Sequence, residues 1–164
     1  MSFGFLVAGF LGATNAGRVA LACQAERPGT RSIALALLAG SCLVAVAAVF
    51  ADDLLDGLSI SPESFRIAAG LVLGAAGVRT LVWSEPASGP FAAILVTPEL
   101  ACLAVSFGAD EDTWKVLAAA APALLVVIAA VARPRGPMAL AAQFLAALQL
   151  VVAVALIVSG VRDV

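Results

Sequence analysis

Long apolar runs, separated by short clusters of charge, glycine and proline, set the pattern of this chain. Six runs are long enough to predict helices, at about 3–24, 33–55, 64–83, 90–107, 114–132 and 138–162. A helix rises ~1.5 Å per residue, so about 20 residues cross a ~30 Å hydrocarbon core. The connections "QAERPGTR", "DDLLDGLSISPE", "SEPASG", "GADED" and "RPRGP" are short, as a compact helical bundle requires. Two spans break the pattern half-way along: "GATNAGR" (12–18) in the first and "LVTPELA" (95–101) in the fourth place polar residues, glycine and proline at mid-bilayer depth.

Composition turns this pattern into a class. Hydrophobic residues make up 63% and charged residues 12% of the 164, and mean hydropathy is +1.10; soluble domains have about 45–50% apolar and about 25% charged residues. The chain is read as an all-α polytopic membrane protein, a single membrane domain over 1–164. A net charge of −2, with nine basic residues scattered along the chain, excludes nucleic acid as an expected partner. There is no histidine, and Cys23, Cys42 and Cys102 are widely spaced in or near apolar runs, where small packing residues are the ordinary role. No metal, cofactor or enzymatic activity is expected. The start "MSFGFLVAGF" carries no basic region, so a secretory signal peptide or lipoprotein box ending at Cys23 is not expected.

Counting spans sorts the charges. One face collects Arg27, Arg31, Arg79, Arg133 and Arg135 with Glu26 and Glu85; the other collects Asp52, Asp53, Asp56, Glu63, Asp110, Glu111, Asp112 and Asp163 with Arg66, Lys115 and Arg162. Five basic residues against three place the arginine-rich face in the cytoplasm and both termini outside it.

A shift of 83 residues overlays Thr14 on Thr97, Asn15 on Pro98, and Leu73-x-x-x-Gly77-Val78-Arg79 on Leu156-x-x-x-Gly160-Val161-Arg162. Helices 1–3 (repeat 1, residues 1–83) then correspond to helices 4–6 (repeat 2, residues 84–164). Each half has an odd number of spans, so the copies run in opposite directions: six transmembrane helices as a 3+3 inverted repeat, with broken helices 1 and 4. Transporters built this way bind near the midplane, where helices are interrupted.

That plan nominates a site of Thr14, Asn15, Arg18, Thr97, Pro98 and Glu99. Pro98 frees carbonyls near Ile94 and Leu95, Gly12 and Gly17 loosen the helix around Asn15, and backbone freed at membrane depth must face protein or a water-filled cavity. Glu99 is the only acidic residue expected at the midplane. Arg18 either pairs with it or extends to the interface. Gln143 and Gln149 are read as interhelical hydrogen bonds, Pro122 as a packing kink, Gly70-x-x-x-Gly74 with Gly77 as a close-approach face, and Trp83 and Trp114 as interfacial anchors.

These segments resemble a known family. "SISPESFRIAAGLVLGAAGVRTLV" (59–82) is similar to the third-helix signature of the MarC family, and "AALQLVVAVALIVSGVRDV" (146–164) to its C-terminal helix, which ends in a Gly-hydrophobic-basic-acidic tail. Helix 1 resembles the family's Asn-Pro-x-Gly segment at Asn15, with Ala16 for the proline and Gly17 one place early. Helix 4 resembles its Gly-Pro-Gly segment at Thr97-Pro98-Glu99, with both glycines replaced. The resemblance implies a six-helix protein of the bacterial inner (plasma) membrane, within the LysE-like transporter superfamily, that moves an amino acid or other small solute. The expected partners are a small-molecule solute and the lipid bilayer, with a homo-oligomer or a protein partner left open. The rival expectation is a non-transporting membrane scaffold or subunit that docks through its third helix.

Overall fold

The computed structural model describes residues 2–82, 97–132 and 138–163. Among these the chain is entirely helical: α1 (Phe3–Thr14), α2 (Ala16–Glu26), α3 (Thr30–Val49), α4 (Ala51–Leu58), α5 (Pro62–Val82), α6 (Pro98–Gly108), α7 (Thr113–Ala132) and α8 (Met138–Asp163). With α1 and α2 counted as one run, five candidate membrane spans result. The protein is a multi-span α-helical membrane protein. The expected fourth span, 90–107, is described only from Thr97 onward, as the short apolar helix α6; Ile94, Leu95, Trp83, Glu85, Arg133 and Arg135 also lie outside the described residues.

Two expected boundaries are corrected. The second run, expected unbroken over 33–55, ends at Val49, and Phe50 (φ −99°, ψ 16°) turns the chain into α4, whose Asp52, Asp53 and Asp56 alternate with apolar Leu54, Leu55 and Leu58. Pro98 does not sit within a helix but opens α6 at its first turn, where the missing N–H needs no partner and the fixed φ suits the helix. Pro122, by contrast, is inside α7 as expected.

The interior is built around the α1–α2 run and α6. In the most apolar stretch of the α1–α2 run 61% of residues are buried, against 22–33% for the other spans, so this run is central and the others meet lipid. Seven residues of α6 are buried. Phe107 on α6 meets Phe5 and Phe10 of α1 edge-to-face, with ring centroids 6.0 and 5.8 Å apart, and a methyl added at Gly9 would lie 3.1 Å from the Phe107 ring. Ala13, near the end of α1, and Leu100, in the first turn of α6, belong to the same core cluster.

Around this interior α5 and α8 pack antiparallel along their length. A methyl at Gly70 would come within 2.8 Å of the Ala153 carbonyl, one at Gly160 within 2.9 Å of the Glu63 carbonyl, and one at Gly77 within 3.2 Å of the Ala146 carbonyl. The glycines let the two backbones approach, which is how helices associate where lipid offers no hydrophobic drive. Gln149 of α8 donates its amide Nε2–H to the Leu73 carbonyl of α5 at 3.1 Å, the expected interhelical bond; Gln143 is exposed instead.

The two ends of the bundle differ in charge. Asp52, Asp110, Glu111 and Asp112 line one open surface pocket with Trp114 and Lys115, and Asp163 reaches the same end through Arg66. Trp114 is 82% exposed, as an interfacial anchor requires. Arg27, Cys23, Gln24 and Val131 gather at the other end.

Candidate functional site

The first span breaks at Asn15. Its backbone is left-handed (φ 39°, ψ 68°), so it ends α1 and starts α2 at once. Asparagine tolerates this conformation better than most residues because its short side chain bonds locally. Here its Oδ1 accepts the Arg18 N–H at 3.2 Å, while its Nδ2 donates to the Ala142 carbonyl on α8 at 3.2 Å. A single side chain thus caps α2 and ties the break to a neighbouring helix. Gly17 makes the approach feasible, since a methyl there would lie 2.5 Å from the Ala142 backbone nitrogen.

The described part of the expected fourth span begins at Thr97. This residue is the extended N-cap of α6, yet its side chain makes no capping bond. From Gly108 at the acidic end, the 11 residues of α6 rise only ~16 Å, about half of the ~30 Å core, so Thr97 and Pro98 lie near mid-depth. The α1 segment of 12 residues reaches a similar ~18 Å before stopping at Asn15.

What lies at the start of α6 is polar and buried. Thr97 is 4% and Glu99 8% exposed, and among the described residues neither the Thr97 Oγ1 nor the Glu99 Oε2 has a hydrogen-bond partner. A buried polar atom without a partner costs on the order of 1–3 kcal/mol, more when charged, so such atoms mark places where something else binds. The charges of Arg18 on α2 and Arg79 on α5 both act on the Glu99 carboxylate, but among the described residues neither forms an ion pair with it. No family model, curated protein or solved structure matches this chain.

The six expected site residues therefore fall into different situations. Asn15 is buried at the break of the first span, and Thr97 and Glu99 at the start of α6; Arg18 is half-buried within electrostatic reach of Glu99. Thr14 is half-buried and its hydroxyl donates back to the Phe10 carbonyl at 2.9 Å, so only its lone pairs are available. Pro98 acts through the backbone, and its ring is exposed. The sequence reading missed Arg79, assigned only to a basic face, and the ion cluster of Arg66 with Asp110 and Asp163 described below. No group of cysteine and acidic side chains suited to a metal ion occurs among the described residues, and the three cysteines are unpaired.

Proposed function

We propose that this protein is a small secondary transporter or exporter working by alternating access, with a midplane site of Thr14, Asn15, Arg18, Thr97, Pro98 and Glu99 for a small solute such as an amino acid or organic anion. The observation that carries the reading is the helix break at Asn15 together with the start of α6, where Thr97 and Glu99 are buried and, among the described residues, unpartnered. The N-terminal ends of α2 and α6 lie at these two places, and such ends carry partial positive charge suited to a carboxylate. Arg18 and Arg79 add to that field, while Glu99 offers a carboxylate for a cationic group or a proton.

An inverted repeat within this transporter is supported by the packing of α5 on α8. Gly77 faces Ala146 and Leu150; Gly160, 83 residues later, faces Glu63 and Ile67, each 83 residues earlier. Gly70 against Ile157 is matched in the same way by Gly74 against Ala153. A scaffold docking through this helix has less support, because its glycine face already lies on α8.

The test is thermal stabilisation of the purified protein by amino acids, small organic anions, phosphate compounds and metal ions. A ligand at a hundredfold excess over Kd raises stability by about 2.7 kcal/mol. The expected result is a compound that stabilises the wild type but neither Glu99→Gln nor Arg18→Ala. A compound that stabilises all three alike, or a flat screen, overturns the reading.

A further inference from the structure

Four buried side-chain atoms lack partners among the described residues: Thr97 Oγ1, Glu99 Oε2, Ser106 Oγ and Arg66 Nε. Ser106 is the unexpected one. Thr14, Ser41, Thr80 and Ser159 each donate to a carbonyl about one turn back, the usual refuge of a hydroxyl in an apolar helix. Ser106, 3% exposed, does not.

Residues turn about 100° around the helix axis and rise ~1.5 Å each. Glu99 and Ser106 are seven apart, so they share one face of α6 about 10 Å from each other. Asp110, four further on and just past the helix end, continues the same side. The helix α5 packs against α6, and Arg66, near the start of α5, bonds Asp110 just beyond the end of α6. The two helices are therefore antiparallel, and three of the four orphaned atoms, on Glu99, Ser106 and Arg66, lie along or beside their seam.

The acidic end of the seam is closed by Arg66. It is 7% exposed, and its guanidinium donates to Asp110 in the α6–α7 turn and, at 2.6 Å, to Asp163 at the end of α8. One side chain thus joins three elements across the mouth of the seam, by charge-assisted bonds that are strong while made and reversible when a partner leaves.

We propose that the α5–α6 seam, lined by Glu99 and Ser106, is the water-accessible route from the acidic face to the midplane site, and that Arg66 held by Asp110 and Asp163 is its gate. The inference rests on the reading of Glu99 as that site. It adds Ser106 as a lining residue and Arg66 as the residue that decides when the acidic face opens.

The test follows the reactivity of a thiol on the seam. Ser106→Cys, in a protein also carrying Cys23→Ser, Cys42→Ser and Cys102→Ser, is exposed in lipid nanodiscs to trimethylammonium-ethyl methanethiosulfonate. Val127→Cys in the same background, buried in the separate cluster with Ala16, Val19, Ala22 and Ala36, reports general unfolding. Adding Asp110→Asn is expected to raise the Ser106→Cys rate at least tenfold and the milder Asp163→Asn severalfold, with the Val127→Cys rate unchanged. An unchanged Ser106→Cys rate in both gate variants, or one that rises in step with Val127→Cys, overturns the proposal. No solute is present, so a failed ligand screen leaves these rates standing, and unchanged rates leave the screen standing.

Discussion

Adding one methyl group at each glycine of the α5–α8 seam separates close approach from mere helix preference. At Gly74 the added carbon would meet only the Ala153 Cβ at 3.7 Å, an ordinary contact. At Gly70 it would lie 2.6 Å from Ile157 Cγ1 and 2.8 Å from the Ala153 carbonyl oxygen; at Gly160, 2.6 Å from Ile67 Cγ1 and 2.9 Å from the Glu63 carbonyl oxygen. A side chain yields by rotating, but a carbonyl of the partner helix yields only if the helices part. At Gly77 the first atoms met are the Leu150 side chain, at 3.0 and 3.1 Å. Replacing glycine by alanine in a helix gains about 1 kcal/mol at any of the four positions, and overpacking a tight contact costs about 1–3 kcal/mol. The helix gain cancels between sites, so Gly74→Ala is expected to exceed Gly70→Ala and Gly160→Ala in stability by about 1–3 kcal/mol, with Gly77→Ala between them. At about 2–4 °C per kcal/mol for a chain of this size, the spread in midpoint is about 2–12 °C in detergent thermal unfolding. Four alanine variants with one midpoint would refute the reading that backbone contact at Gly70 and Gly160 sets the crossing.

Other substitutions probe the break and the gate. Asn15→Ala loses the α2 cap and the bond to Ala142 and forces alanine into left-handed backbone, a loss of about 2–3 kcal/mol in thermal unfolding; Asn15→Gly keeps the backbone conformation and falls by about half as much. Gly17→Ala drives a methyl into the Ala142 backbone and is expected to lower the yield of folded protein sharply in size-exclusion profiles. Asp163 is 52% exposed, so Asp163→Asn costs at most about 1 kcal/mol. Asp110, at 17%, costs more on change to Asn, about 1–3 kcal/mol by denaturant titration, because a buried guanidinium loses its better-shielded partner.

How much of this was legible in the sequence depends on the range over which each feature is written. The hinge is local: an asparagine between glycines, beside Thr14 and Arg18 in an otherwise apolar run, names the place where a helix tolerates left-handed backbone, and the structure breaks there. The proline of "TPEL" signals a break as surely but not its form, because the same residue kinks a helix from within or opens it from the first turn. The turn at Phe50 carries neither glycine nor proline; its one local mark is Asp52 and Asp53, acidic residues in the first turn of α4. Ser106 was readable in principle, since helical spacing from Glu99 puts it on the same face. The ion cluster was not: Arg66 finds its partners 44 and 97 residues away, and a span count that places an arginine near a helix end has no means of knowing that the end is covered.

Positions 66 and 149 show why packing is easier to read than chemistry. They are 83 residues apart, both buried, at 7% and 3% exposure, and both on the α5–α8 pair. Gly77 and Gly160, at the same offset, make matching contacts because close approach asks only for a missing side chain. Arginine and glutamine at the other two positions do different things. Gln149, a neutral donor, is satisfied by the Leu73 carbonyl across the seam. Arg66 carries a charge that one carbonyl does not balance, so it reaches outward to two carboxylates from other elements. The same frame thus holds a passive hydrogen bond at one position and an ionic gate at the other. The difference resides in a single side chain, and it makes the acidic end the one whose opening depends on breaking charge pairs.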